Sequence, residues 1–184
     1  QNKNVGKCVN SPESLVYSKS RELYGFYQAK QAIVCEDHCF LVEGYTDVMS
    51  MHQCGIENVV ASSGTSLTDG QIRLLHRFTE HITVLYDGDS AGIKASMRGI
   101  DMLLREGMKI RALLLPDGDD PDSFARKHTA ASYRAYIDQH QEDFIRFKAR
   151  LLLGEAGDDP MKRAELVSNV IDSIAVIPDN VLRQ

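Results

Sequence analysis

The sequence predicts an α/β fold in which helices cover both faces of a mainly parallel sheet, followed by a helical subdomain. Two observations support this. First, short apolar runs recur along the first two thirds of the chain, each too short for a helix and typical of a buried strand. Second, amphipathic stretches of helical length separate them. The strands are predicted at 39–42, 59–61, 82–86 and 110–115.

The intervening helices are predicted from apolar spacing, caps and stops. The spacing of apolar residues from Ser18 to Val34 indicates the first helix. The others are expected over 46–54, 68–78, with Thr68 as its cap, and 90–106. Glycines follow two of them, at positions 55 and 107, where a left-handed residue commonly ends a helix.

From Pro121 onward only helical patterns appear, over 121–128, 130–139, 142–154 and 160–177. We therefore divide the chain into a lead-in segment at 1–36, an α/β domain at 37–128 and the start of a helical subdomain at 129–184. Since the chain opens on Gln1 and ends amid helical pattern at Arg183-Gln184, we expect a fragment of a longer protein.

The bulk composition favours a globular protein over a disordered or membrane-spanning one. The 184 residues are 43% hydrophobic and 26% charged. No run is long enough to cross a bilayer and no signal segment opens the chain, so we expect a cytoplasmic protein without a membrane partner. The net charge of −5 is the opposite of what phosphate binding requires. The acids, however, are concentrated in a few short stretches.

Those acidic residues follow predicted strands. Glu43 comes directly after the first strand, Asp87 and Asp89 after the third, and Asp120 and Asp122 in the loop after the fourth. In parallel sheets, ligands bind outside the carboxyl ends of the strands. Carboxylates suit Mg²⁺, which takes one or two of them and completes its octahedron with water and phosphate oxygens. Position therefore favours a metal site.

Simpler interpretations remain open for each acid. Asp87-Gly88-Asp89 is also a common turn, and Asp120 is well placed to cap the helix that Pro121 begins. Zinc is not expected, because Cys35, His38 and Cys39 have poor spacing and no second pair completes four ligands. Only the joint arrangement of the acids argues for chemistry.

Several motifs resemble those of bacterial DnaG-type DNA primases. Glu43-Gly-Tyr-Thr-Asp47, Asp87-Gly-Asp89-Ser-Ala-Gly and Leu115-Pro-Asp-Gly-Asp-Asp-Pro-Asp122 are similar to the motifs of their Toprim domain. Upstream, Val9-Asn-Ser-Pro-Glu13 and Leu23-Tyr-Gly25 resemble the segment that precedes Toprim in that family. The resemblance covers about residues 5–128, and the helical pattern beyond them more weakly.

The resemblance implies a set of site residues. Glu43, Asp87 and Asp89 would be the catalytic carboxylates, and these three together with Asp120 and Asp122 would hold divalent metal. Glu43 could be a ligand or a general base, and Asp47 would be a further acidic member of the site. Lys7, Asn10 and Lys19 would face template or nucleotide phosphates, although surface charge and helix capping explain such residues equally simply.

The activity implied is RNA primer synthesis for DNA replication, a nucleotidyl transfer assisted by Mg²⁺, for which Mn²⁺ can substitute. The implied partners are a single-stranded DNA template, ribonucleoside triphosphates and, at the replication fork, a replicative helicase contacted through a domain absent from this chain. We expect the fragment to make primers poorly by itself, since the basic surface that binds the template would lie elsewhere.

Three other functions stay possible at this stage. A Toprim topoisomerase or nuclease would share the carboxylates but cut nucleic acid. A haloacid-dehalogenase-type phosphatase also uses aspartates at strand ends, but its Asp-x-Asp-x-Thr pattern is not matched after Asp87. A non-catalytic binding module would carry the same acids as structural groups, and it would bind no divalent cation.

Overall fold

The computed structural model describes residue 14 and residues 18–62, 67–87, 90–116 and 118–178, with the side chains of 90–96 and 98 left out. It confirms the predicted fold class. The elements are α1 (Phe26–Glu36), β1 (Cys39–Val42), α2 (Tyr45–Gln53), β2 (Val59–Ala61), α3 (Asp69–His76), β3 (His81–Tyr86), α4 (Ser90–Arg105), β4 (Lys109–Leu114), α5 (Pro121–Lys127), α6 (Ala130–His140), β5 (Glu142–Asp143), α7 (Phe144–Ala156) and α8 (Pro160–Ala175).

The strands form one sheet in the order β2-β1-β3-β4-β5. The first four are parallel, and β5 pairs antiparallel with β4. The chain thus places β2 on one side of β1. It then crosses to the other side of β1 to form β3, and β4 follows beyond β3. Because parallel crossovers are right-handed, α2 and α4 pack on opposite faces of the sheet. The order of the strands therefore reverses between β1 and β3.

Alternate strand residues face two separate cores, as the period of a strand requires. On one face, Leu41, Val84 and their neighbours pack with residues of α1, α3, α4 and α7. On the other, Phe40, Val42 and Leu85 pack with residues of α2, α5 and α6. Since both faces are covered, the strands β1, β2 and β3 are apolar and buried almost throughout, which explains the continuous apolar runs.

The first predicted helix begins eight residues too early, because only Phe26–Glu36 is helical. Tyr24 instead forms an antiparallel bridge with Ala61 at the end of β2, with backbone N–O distances of 2.9 and 3.1 Å. Gly25 then turns the chain with a φ of +80°, and a side chain there would lie 2.7 Å from Val48. This contact with the sheet ends the extended segment and sets the start of α1.

The helical residues after Pro121 contact the sheet as well. Tyr133 and Ile137 of α6 lie in the core that contains Phe40, while Phe144 and Phe147 of α7 lie in the opposite one. The domain boundary near residue 128 remains a prediction. In the described part of the chain, no helix has the length and apolar character needed to cross a bilayer.

Candidate metal centre at the carboxyl edge of the sheet

The reversal of strand order creates a crevice at the carboxyl ends of β1 and β3. Helices leave these two neighbouring strands toward opposite faces, so nothing in the connection fills the space between them. Glu43 follows β1 directly and is exposed, and Asp87 follows β3 directly and is partly exposed. The pairing of Leu41 with Val84 brings these two positions to the same edge. Two predicted site residues therefore flank the crevice.

Asp47 lies in the first turn of α2, the helix that leaves β1. Its Oδ2 accepts a hydrogen bond from the Gly44 backbone N–H at 2.9 Å, and the residue is only 7% exposed. A Cβ at position 44 would lie 2.8 Å from this oxygen, so a larger residue there would require the carboxylate to shift. The Glu-Gly-x-x-Asp spacing thus holds the Asp47 carboxylate at the edge of the sheet.

The charge around Asp47 shows which acids lie near it. Burial raises the pKa of Asp47 to about 6, while hydrogen bonds from the backbone of Gly44 and Asp122 oppose that shift. The carboxylates of Asp87 and Asp120 raise the pKa further. Acids that follow three different strands therefore affect one another, while the role of Asp87 and Asp120 as metal ligands stays a prediction.

Asp120 and Asp122, in the loop after β4 and the start of α5, already have protein partners. Asp120 caps α5, and its Oδ1 accepts the Ser123 backbone N–H at 2.7 Å. Asp122 accepts a hydrogen bond from the Ser50 hydroxyl and forms an ion pair with Arg126, at 3.0 Å from Nε and 2.9 Å from the terminal nitrogen. The structure thus confirms that Asp120 caps α5. This cap is compatible with the effect of the Asp120 carboxylate on the pKa of Asp47.

The other predicted contacts are distributed differently. Asp89, Lys7 and Asn10 lie outside the described residues. Lys19 is described and partly exposed, and its backbone carbonyl accepts a hydrogen bond from the Gln71 side chain at 2.9 Å. Sequence reasoning missed the Arg126–Asp122 pair, although the spacing of four residues on a helix could have indicated it. No sequence signal indicated Ser50.

The donor set fits a hard divalent cation. Asp47 and Asp87 offer carboxylate oxygens, the ligand type that Mg²⁺ prefers, and the charged groups that most affect Asp47 are other acids. Among the described residues, no group of three or more His, Cys, Asp or Glu side chains could hold a metal ion by itself. A magnesium site does not require one, because water and phosphate oxygens supply most of its ligands.

Comparison with known proteins agrees with this geometry. A family model described as Toprim-like matches residues 40–125. The DNA primase of Halalkalibacterium halodurans is 36% identical over 184 residues, covering 97% of this chain and 31% of that primase. A DNA primase domain from Pseudomonas aeruginosa superposes with a TM-score of 0.85 at 35% identity, covering 100% of this chain and 58% of that one. The chain belongs to the DnaG primase family.

A second similar structure is a DnaG primase catalytic domain bound to single-stranded DNA, with a TM-score of 0.81 at 35% identity. The match covers 95% of this chain and 57% of that domain. This primase chain therefore spans less than a third of the Halalkalibacterium primase and a little over half of the two solved structures. Primases of this family depend on metal ions, which is consistent with the acidic edge of the sheet.

Proposed function

We propose that this chain forms the metal-binding part of a DNA-dependent RNA polymerase that synthesises RNA primers. The observation that carries the proposal is that Asp47, Asp87 and Asp120 follow β1, β3 and β4 at the carboxyl edge of the sheet, where Asp87 and Asp120 raise the pKa of Asp47. Toprim topoisomerases and nucleases share such acids, but the similar proteins described above are primases along almost the whole of this chain.

Each side chain has a separate task in this proposal. Asp87 and Asp89 would hold Mg²⁺, with Glu43 across the crevice as a further ligand or as the base that accepts the proton of the attacking 3′-hydroxyl. Asp120 and Asp122 remain candidate ligands, and Asp47 contributes negative charge. Bound Mg²⁺ would lower the cost of forming the alkoxide and neutralise the departing pyrophosphate. The chain itself positions these carboxylates.

The substrates and partners belong to the same proposal. A single-stranded DNA template would direct the choice of ribonucleoside triphosphate, with Lys7, Asn10 and Lys19 near phosphates. A helicase would bind another part of the complete primase, at the replication fork. Because this chain spans less than a third of the Halalkalibacterium relative, we expect it to bind metal but to make primers poorly without the rest of the polypeptide.

The test is calorimetric titration of the chain with Mn²⁺, which replaces Mg²⁺ at oxygen sites. We expect the wild-type chain to bind, and Asp87→Ala and Asp89→Ala each to abolish binding while thermal unfolding shows the fold retained. Asp172→Ala is the matched control, because that aspartate is exposed on α8, away from the sheet edge.

Three outcomes distinguish the possibilities. Unchanged Mn²⁺ uptake by the Asp87 and Asp89 variants would exclude these residues as ligands. Absence of uptake by the wild-type chain would favour a non-catalytic binding module. Metal-dependent cleavage of nucleic acid, without primer synthesis when the missing part of the primase is added, would favour a Toprim nuclease.

A further inference from the structure

Tyr133 of α6 carries a polar group that the site as described does not use. The residue is fully buried, and its ring packs against Phe124 of α5 at a centroid distance of 4.8 Å. Its hydroxyl has no hydrogen-bond partner among the described residues. A buried hydroxyl without a partner costs free energy, and most such groups in folded proteins bond to protein or to an ordered water.

The surroundings of this hydroxyl lead to the acidic cluster. Burial is the main reason that the pKa of Tyr133 is raised, but the nearby Asp47 carboxylate contributes next, followed by Cys54 and Asp120. Two of the three acids at the sheet edge, Asp47 and Asp120, thus affect Tyr133, although neither accepts a direct hydrogen bond from its hydroxyl. A water between the hydroxyl and a carboxylate satisfies both groups.

Asp47 is the better acceptor for that water. Asp120 already uses one oxygen in the helix cap and lies at an exposed position. Asp47 is buried with Tyr133 on the same side of the sheet, since Val48 and Met51 of its helix share a core with Tyr133. The Asp47 carboxylate accepts hydrogen bonds from the backbone N–H groups of Gly44 and Asp122, and a water could bond it from the opposite side.

We propose that Tyr133 is a positioning residue of the metal centre, whose hydroxyl donates to a water that also bonds the Asp47 carboxylate. The proposal rests on the proposed function, because it assigns to Asp47 and Tyr133 the support of a metal bound at Asp87. Groups one layer outside the ligands orient the ligands, and removing such a group commonly lowers metal affinity about 10- to 100-fold.

The test compares Tyr133→Phe with Tyr136→Phe. Both changes remove one hydroxyl from the same helix, and both rings pack against Phe124 at 4.8 Å, but Tyr136 is partly exposed and its pKa is raised by burial and Asp119 rather than by Asp47. We expect Tyr133→Phe to raise the Kd for Mn²⁺ roughly 10-fold. We expect Tyr136→Phe to leave it unchanged.

Thermal unfolding without metal supplies an independent readout. If the hydroxyl bonds a water, Tyr133→Phe lowers the Tm; if the hydroxyl is unsatisfied, removing it raises the Tm. Wild-type Mn²⁺ affinity in Tyr133→Phe, or a raised Tm, would overturn the inference. A wild-type chain that binds no Mn²⁺ would instead refute the proposed function first, and the two failures are separated because the wild type is titrated before the variants.

Discussion

Replacing Asp47 with asparagine tests whether the buried Asp47 carboxylate at the acidic edge of the sheet lowers the free energy of unfolding. Asp47 is 7% exposed, and burial, reinforced by Asp87 and Asp120, raises its pKa from 3.8 to about 6. The metal-free protein therefore maintains a buried negative charge beside two others at neutral pH. Asparagine has nearly the same shape and carries no charge.

The sign and size of the effect follow from the pKa. Because the folded protein binds this proton more tightly than the unfolded chain does, the stability contributed by Asp47 is fully present below about pH 4 and is lost as the pH rises through 6. A shift of about two pH units corresponds to about 3 kcal/mol in the free energy of unfolding. The asparagine in Asp47→Asn does not titrate, so the stability of the variant relative to wild type should increase by about that amount between pH 4 and pH 7.5.

The assay is urea unfolding in the presence of a chelator at several pH values, with Asp172→Asn as the exposed control. At low pH we expect the variant to equal the wild type or to be less stable, because an NH₂ group that only donates replaces one of the two oxygens available to the backbone N–H groups of Gly44 and Asp122. The change with pH, rather than the absolute difference, carries the test. A difference between variant and wild type that stays constant from pH 4 to 7.5 would refute the reasoning.

Two further predictions concern a buried ion pair between helices and the turn that precedes α2. Lys148 of α7 is buried with Ser173 of α8 and pairs with Asp101 of α4 at 3.5 Å, and its side chain is 7% exposed against 31% for Asp101. Asp101→Asn leaves the buried Lys148 ammonium without a negatively charged partner and should lower the free energy of unfolding by about 3 kcal/mol. Lys148→Met leaves only a partly solvated carboxylate and should lower it by less. Equal losses of stability in urea unfolding would contradict this. Gly44→Ala should displace the Asp47 carboxylate, since the added Cβ lies 2.8 Å from its oxygen, and raise the Kd for Mn²⁺ about 10-fold by titration. Wild-type affinity in that variant would show that Asp47 does not support the metal.

The sheet could be predicted from the sequence because it is buried on both faces. Mostly apolar runs such as Cys39–Val42 and His81–Tyr86 are short, are followed by acidic residues and have few other structural explanations. Two features could not be predicted, since both depend on distant partners. β5 has only two residues and exists because Asp143 and Glu142 pair with the edge of β4. The start of α1 depends on the bridge between Tyr24 and Ala61.

The same distinction applies to the site. Its acids could be placed at one edge, because the carboxyl ends of parallel strands share that edge; their individual roles could not, because those depend on contacts across the fold. Asp122 has the spacing of a ligand, but it already bonds Ser50 and Arg126, so a metal would have to compete with an ion pair of two short contacts. Asp120 keeps one oxygen outside its cap and remains close enough to Asp47 to affect its pKa. Of the two, Asp120 is therefore the better candidate to complete a metal site with Asp87, and Asp122 the better candidate to fix the position of α5 against α2.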